Sequence, residues 1–168
     1  MKSHATFKGH PIHPMLVTLP IGLWVTSLVC DIIYFANGGL FWHDMAWWTM
    51  AFGVVGALLA AIPGLVDYNT TIQRAERVKP TATRHMVINL AVVGIYVVNL
   101  VLRGNYGAAD GPLLGAVALM SLIAVGMLAY SGYLGGHMVY HYGVGMRRED
   151  LRISMMEAEE AEAKLPRR

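Results

Sequence analysis

Residues 113–132 read LLGAVALMSLIAVGMLAYSG, a stretch of 20 residues without a single charged side chain. A helix of about 20 apolar residues is long enough to cross the roughly 30 Å of hydrocarbon in a bilayer. Three further stretches are similarly apolar, residues 16–35, 46–65 and 86–102, and Asp31 is the one carboxylate within them. The pattern predicts four membrane-spanning helices.

The composition supports the same class of protein. Hydrophobic residues make up 55% of the chain and charged residues 14%, whereas soluble domains carry about 25% charged residues. A soluble helical bundle would need polar outer faces at helical spacing, which these stretches lack. Short first and third connections favour antiparallel neighbours. We therefore predict an all-α integral membrane protein, a four-helix up-down transmembrane bundle over residues 1–146, followed by a charged cytoplasmic tail over residues 147–168.

Lysine and arginine are distributed unequally between the two ends of the predicted bundle. Of the 13 cations, only Arg103 lies at the end away from the two termini and the second connection. By the positive-inside rule, both termini are then cytoplasmic in a bacterial inner membrane. The net charge of +2 follows from this topology, and no nucleic-acid partner is predicted.

The first apolar stretch is predicted to be a retained helix rather than a cleaved secretion signal. It is longer than the apolar part of a signal peptide, and it contains Pro20 and Asp31. The single cysteine, Cys30, excludes an internal disulfide and a CxxC metal site.

Polar side chains in the third apolar stretch occur at helical spacing. They share one face of the predicted helix and comprise His85, Asn89, Tyr96, Asn99 and Arg103. This face is predicted to point into the bundle or into a water-filled cavity, because a polar group that faces lipid is costly. A matching line in the first stretch comprises His13, Pro20, Trp24, Ser27 and Asp31. Asp31 and Arg103 are predicted to pair near the outer end, and the two lines either fix helix rotation by hydrogen bonds or form a proton path.

Five histidines lie at the cytoplasmic end of the predicted bundle, although they are far apart in the chain: His10, His13, His85, His137 and His141. Prolines on both sides of His13 stiffen the arm that carries the first two. The last two are four residues apart and therefore on one helical face. Asp67 adds a carboxylate at the same level. These residue types predict a haem or metal site, whereas His4 and His43 are predicted to be incidental.

The histidines allow three interpretations. For haem b, the axial ligands would be His85 with His137 or His13. The whole cofactor-binding set would comprise His13, His85, His137, His10, His141 and Arg84. Lys8 and Lys79 would be further cations, and Gly132, Gly135 and Gly136 would leave room for the porphyrin. For a bare Zn, Fe or Mn ion, the ligands would come from His10, His13, Asp67, His85 and His137. In a structural membrane subunit, the same histidines would only form hydrogen bonds.

Four sequence boxes carry a resemblance to a known family: GHPIHP at 9–14, PGLVD at 63–67, RHMVIN at 84–89 and GGHMVY at 135–140. Together they resemble a bacterial membrane-protein family known as domain of unknown function 2231, over residues 7–146. That family is similar to b561-like and hydrogenase-type cytochrome b four-helix proteins, so the resemblance implies haem b and electron transfer. It also implies a shared site made of His10, His13, Asp67, His85 and His137.

Cytochromes b561 place histidine pairs at both membrane faces, whereas this chain is rich in histidine at one face only. The sequence therefore predicts a membrane b-type haem protein for electron transfer or redox sensing, with one site at the cytoplasmic face. The predicted partners are the lipid bilayer and either a redox partner protein or a second copy of the chain. A role as a redox subunit of an enzyme stays open, and no catalytic residue is predicted.

Overall fold

The structure is a computed structural model that describes residues 1–106 and 112–146, together with residues 152–153, 155–157 and 159. Part of the third connection and most of the predicted tail, residues 147–168, lie outside the described residues.

The described chain is mostly helical. An amino-terminal arm carries a small antiparallel ribbon, in which β1 (Thr6–Phe7) pairs with β2 (His10–Pro11). A short helix, α1 (Ile12–Leu16), leads directly into α2 (Thr18–Asn37). Three long helices follow, namely α3 (Leu40–Thr70), α4 (Lys79–Tyr106) and α5 (Pro112–Tyr140), with a 3-10 turn at Ile72–Arg74 between the first two of them.

Four helical segments are long and apolar enough to cross a membrane: Ile12–Asn37, Leu40–Arg74, Lys79–Gly104 and Leu113–Tyr140. Consecutive segments run antiparallel, as the hydrogen bonds between them show. Tyr68 near the end of α3 bonds Thr83 near the start of α4, and Asn99 late in α4 bonds the carbonyl oxygen of Val117 early in α5. The predicted fold class, an all-α four-helix up-down membrane bundle, is confirmed.

The helices extend beyond the apolar stretches at several ends. α3 already begins at Leu40, before the stretch that starts at residue 46, and α5 continues to Tyr140, past residue 132. The apolar stretches mark only the part of each helix that crosses the hydrocarbon. A helix continues beyond that part, into the membrane interface, for as long as its backbone hydrogen bonds continue. α2 ends at Asn37 and is followed by Gly38, whose φ of 68° favours glycine, and α3 begins two residues later.

The centre of the bundle is an apolar core built around two stacked aromatic rings. Trp24 of α2 lies on Tyr96 of α4, with ring centroids 4.4 Å apart and planes inclined by 11°. Gly53 of α3 makes room for this indole, because a Cβ there would lie 2.6 Å from Cδ1 of Trp24. The buried residues of the core are Trp24, Met50, Val92, Tyr96, Ala124 and Leu128.

Two helix pairs face each other in the bundle. α2 packs most extensively on α3, which forms the first helix pair together with α1, and α4 packs on α5 as the second helix pair. The predicted inward orientation of the polar lines is confirmed, since Ser27, Asp31, Asn99 and Arg103 are all buried. The contact surface between the two helix pairs, called the seam below, therefore carries the polar groups.

Candidate functional site

The two ends of the bundle carry different polar groups. The histidine end is formed by the amino-terminal arm, residues 71–78 between α3 and α4, and residues 141–146 after α5. The ion-pair end contains the turn between α2 and α3, together with the side chains of Asp31 and Arg103. Each end can be described from the residues that line the seam.

His13 belongs to the first helix pair at the histidine end. It lies in α1, directly after the ribbon of the arm, and its ring docks on α3. Its Nδ1 is 2.8 Å from the carbonyl oxygen of Ala60. Because a carbonyl oxygen can only accept a hydrogen bond, Nδ1 carries a proton, and in the neutral ring the free lone pair is on Nε2. Among the described residues, no hydrogen bond uses this Nε2.

His85 belongs to the second helix pair and is held by α5. Its Nδ1 lies 2.9 Å from the carbonyl oxygen of Ser131 and 2.9 Å from the hydroxyl oxygen of the same residue. The proton is therefore again on Nδ1. The side-chain amide of Asn89, one turn along α4, lies 3.1 Å from Nε2 and donates to it, and also lies 2.8 Å from the Ser131 hydroxyl.

The two imidazoles meet across the seam. Their ring centroids are 6.2 Å apart and their planes are inclined by 88°. Glycines make this approach possible. A Cβ at Gly64 would lie 2.9 Å from Nδ1 of His13, and a Cβ at Gly135 would lie 3.4 Å from Cε1 of His85. The seam thus brings together one histidine from each helix pair, with the same tautomer in both.

His137 and His141 form a separate pair on α5 and just after it. Their rings stack at a centroid distance of 4.6 Å, and Tyr142 packs edge-on against both. His137 also stacks on the exposed Tyr133, at 6.2 Å. His137 was predicted to point inward as a haem ligand, but its ring contacts within the described residues are with this aromatic group. Ser131 and Gly135 occupy the face of α5 that meets His85, and a residue two positions after Gly135 points elsewhere on the helix.

Asp67 is engaged by the amino-terminal arm. Its carboxylate accepts hydrogen bonds from the hydroxyl of Ser3 at 2.6 Å and from the backbone N–H groups of His4 and Ala5 at 2.8 and 3.0 Å. Thr71 donates to the carbonyl oxygen of Lys2, which ties the arm down a second time. The carboxylate predicted as a metal ligand therefore holds the arm against the end of α3.

The predicted metal set does not gather at one point. Among residues 1–106 and 112–146, no three histidine, cysteine, aspartate or glutamate side chains are grouped so that they could hold an ion. His10 is exposed on β2. The five predicted ligands are instead divided among the seam pair, the aromatic group on α5 and the arm.

The cations and glycines predicted for a haem are also distributed. Arg84 is exposed and lines a groove on the outside of α4 and α5, together with Lys79. The amino group of Lys8 lies 5.8 Å from the ring centre of Phe7 on the arm. Gly132 and Gly136 have open space where a side chain would be. Of the predicted α5 glycines, only Gly135 contacts the histidine pair.

The ion-pair end is a closed polar network. The guanidinium of Arg103 donates two hydrogen bonds of 2.7 Å to the carboxylate of Asp31, and its Nε donates to the side-chain oxygen of Asn99 at 2.8 Å. The amide of Asn99 in turn donates to Ser121 and to the carbonyl oxygen of Val117. The predicted pairing of Asp31 with Arg103 is confirmed. Every member of this network has its partners.

Two buried polar atoms near the ion-pair end differ from this network. Among the described residues, neither the hydroxyl of Tyr96 nor Nε2 of His43 has a hydrogen-bond partner. His43, predicted to be incidental, is buried in α3 with its ring 5.5 Å from that of Tyr34. Its Nδ1 lies 3.3 Å from the carboxylate of Asp44.

Sequence reasoning missed three residues that position the seam histidines. Ser131 was not singled out, although a serine in an apolar helix is itself a signal for an interhelical hydrogen bond. Gly64 was included only as part of the PGLVD box, and the carbonyl oxygen of Ala60 has no sequence signal at all. Asn89 was on the predicted polar face.

Four membrane-length helices with a polar seam define an integral membrane protein that carries a candidate ligand-binding histidine pair at one end. The chain belongs to the family of predicted membrane proteins DUF2231, whose model matches residues 9–148. The matched range includes all four helices, so the expected family is confirmed. A search of curated proteins and a search of solved structures found no match.

Proposed function

We propose that this protein is a membrane b-type haem protein in which His13 and His85 would hold the haem iron, and that it transfers electrons or senses redox state. The observation that carries the proposal is the shared tautomer of the two histidines. In both, a backbone carbonyl oxygen accepts a hydrogen bond from Nδ1–H, so Nε2 is the atom that would bind a metal. This Nε2 is free of hydrogen bonds to the described residues in His13 and is bonded to Asn89 in His85. Partners of this kind orient metal-binding histidines and raise their basicity.

The distance between the rings supports a shared metal centre. Metal–nitrogen bonds of about 2.0–2.1 Å put the ring centres of two imidazoles on one ion about 5–6.5 Å apart, depending on the angle at the metal. The observed centroid distance of 6.2 Å lies within that range. The hydrogen bond from Asn89 to Nε2 of His85 would be exchanged for the metal bond.

The number of ligands favours haem over a bare ion. Because a porphyrin supplies four nitrogen ligands, haem iron needs only two axial side chains. A protein-bound Zn ion takes at least three protein ligands, and the described residues offer no group of three. Bound haem would supply one-electron redox chemistry, with a potential set by its axial ligands and surroundings.

The donor atoms fit haem, and room for the porphyrin would have to come from the seam. Gly64 and Gly135 are already in contact with the imidazoles themselves. The seam is less extensive than the contacts within each helix pair, so it is the surface along which the bundle would part.

The same proposal includes an orientation. The asymmetry of lysine and arginine supports an inner-membrane protein with both termini and the histidine end in the cytoplasm. Electrons would then be exchanged with a partner protein on the cytoplasmic side. A reporter enzyme that works only in the cytoplasm should be active when it is fused after Arg168. Activity of a reporter that works only in the periplasm, fused at the same place, would contradict the orientation.

The test of the cofactor is an absorbance spectrum of detergent-purified protein, oxidised and dithionite-reduced, with elemental analysis of the same sample. A Soret band and a reduced α band are expected. Both should be lost in His13→Ala and in His85→Ala. The matched controls His10→Ala and His137→Ala remove a histidine from the same end of the bundle and should keep both bands.

Three other results would change the assignment. Stoichiometric Zn, Fe or Mn without a Soret band would favour the bare ion. Loss of the bands in His137→Ala but not in His13→Ala would move the ligand to α5. A protein without either cofactor, although expressed with haem and metals available, would be a structural membrane subunit.

A further inference from the structure

An open groove runs along the outside of the second helix pair at the histidine end. One wall is the beginning of α4, from Lys79 to Ile88, and the other is Tyr130 of α5. Over these nine steps a helix rises about 13 Å. The groove therefore extends from the polar end of the bundle into the apolar stretch that starts at residue 86.

The lining of the groove changes along this length. Lys79 and Arg84 are exposed cations at its polar end, next to the chain that joins α3 and α4. Val87 and Ile88 form its deeper apolar part. Tyr130, 52% exposed, stands beside them with its ring stacked on Tyr133. Charge thus lies at the level of lipid headgroups and apolar surface lies below it.

The cations are the polar groups of the groove that stay available to a ligand. The Thr83 hydroxyl is occupied, since it donates to the carbonyl oxygen of Lys79 and bonds the hydroxyl of Tyr68. Within the described part of the chain, the ion pairs are those of His43 with Asp44 and of Arg103 with Asp31. Neither Lys79 nor Arg84 takes part in them. Recognition in this groove would therefore depend on negative charge.

We propose that the groove binds an anionic phospholipid of the surrounding bilayer. The headgroup phosphate would lie near Lys79 and Arg84, and an acyl chain would lie along Val87 and Ile88. A soluble anion would leave the apolar wall unused, and a zwitterionic lipid such as phosphatidylcholine would bring its own positive charge next to the two cations. Basic grooves between transmembrane helices at the headgroup level suit anionic lipids, with about fivefold in affinity per cation.

This site is separate from the seam. Arg84 points to the outside of the second helix pair, whereas the neighbouring His85 contacts Ser131 inside it. Substitutions of the two cations therefore leave the histidine pair and its hydrogen bonds in place. Failure of the lipid proposal and failure of the haem proposal are distinguishable, because the first is measured by lipid retention and the second by absorbance.

The experiment is native mass spectrometry of the full chain in detergent, with phosphatidylglycerol and phosphatidylcholine added in equal amounts. Retention of phosphatidylglycerol over phosphatidylcholine is expected. The ratio should fall about fivefold in Lys79→Gln and in Arg84→Gln, and about 25-fold in the double variant. The matched control is Arg74→Gln with Arg77→Gln, which removes two exposed cations of the same end outside the groove and should change the ratio little.

A second variant tests the groove itself. Val87→Trp fills its apolar part and keeps both cations, so it should lower phosphatidylglycerol retention by several-fold. Equal retention of the two lipids by the unaltered protein would overturn the proposal. The groove would also be overturned as a site if the retention ratio fell equally in the control double variant, or if it did not change in Val87→Trp. Either result would mean that surface charge in general attracts the lipid.

Discussion

Each end of the seam has an asparagine of α4 bonded to a serine of α5, yet only one of the two ends is closed. At the ion-pair end, Asp31, Arg103 and Asn99 are buried and fully bonded to one another. At the histidine end, His13 and His85 are half-buried, and each is bonded to the protein through Nδ1. The polar groups of one end satisfy each other, whereas those of the other end leave a ring nitrogen for a ligand.

This difference separates stability from function. A buried charge network with every partner present has no capacity for a further ligand, and its role is to hold the helix pairs in one arrangement. The pair of oriented imidazoles contributes less to packing, and in the proposed function it would bind the haem iron. The predictions below test this division from the largest expected effect to the smallest.

Breaking the ion pair should have the largest effect. Arg103→Met leaves the buried Asp31 carboxylate without a partner, which costs about 3–5 kcal/mol of unfolding free energy. The double variant Asp31→Leu with Arg103→Met should lose much less, because it leaves no buried charge. Unfolding in detergent measures both. Arg77→Met, at an exposed position, is the control, and an effect in it as large as in Arg103→Met would contradict the assignment.

Crowding the place where the His13 ring docks on α3 should have the second largest effect. The added methyl group in Gly64→Ala would lie 2.9 Å from Nδ1 of the imidazole, so the ring must leave the Ala60 carbonyl oxygen. Overpacking of this kind costs about 1–3 kcal/mol, and the Soret band should weaken. Gly136→Ala, which has open space around the new methyl group, should leave absorbance unchanged and raise stability by up to about 1 kcal/mol, because alanine favours a helix interior over glycine.

Two serines of α5 allow a matched comparison of the ends. Ser121→Ala removes an acceptor from the buried Asn99 and should cost about 1–3 kcal/mol, the range for an unsatisfied buried group. Ser131→Ala should cost about 0.5–1.5 kcal/mol, because the half-buried Asn89 keeps its bonds to His85 and the Ser131 carbonyl oxygen stays in place. Denaturant unfolding of both variants measures the two losses of unfolding free energy. A larger loss in Ser131→Ala than in Ser121→Ala would contradict the distinction between a closed and an open end.

Releasing the arm should have the smallest effect on global stability. Asp67→Asn weakens the bonds to Ser3, His4 and Ala5 by removing the charge, which we expect to change the unfolding free energy by less than about 1 kcal/mol. Hydrogen exchange of residues 3–5 should be several-fold faster. Asp44→Asn, an exposed carboxylate at the other end, serves as the control and should leave the exchange of the arm unchanged.

The fold and the inner face of each helix were predictable because burial in a bilayer leaves a one-dimensional signal. Four apolar stretches marked the helices, and polar residues at helical spacing marked the seam. The pairing of Asp31 with Arg103 followed from their common level. The helix ends were less predictable, since α3 begins at Leu40 and α5 continues to Tyr140. Polar residues such as His43 and His137 interrupt the apolar run there without ending the helix.

The candidate site was predictable in its residue types and in the end of the bundle at which it lies, but not in its grouping. His13 and His85 were among the predicted ligands, and the structure brings them together. His137 was expected to join them, but the rotation of α5 places Ser131 and Gly135 on that face. Asp67 was expected as a ligand, and the arm occupies it.

By itself, the sequence determined the class of protein, the number of helices and the level of each polar residue along the membrane normal. These follow from local composition and from the fixed rise of a helix. Only the tertiary structure decided which of the same-level groups face one another. That choice depends on helix rotation and close packing at glycines such as Gly53 and Gly64, and on the carbonyl oxygens of Ala60 and Ser131, which no side-chain pattern reveals.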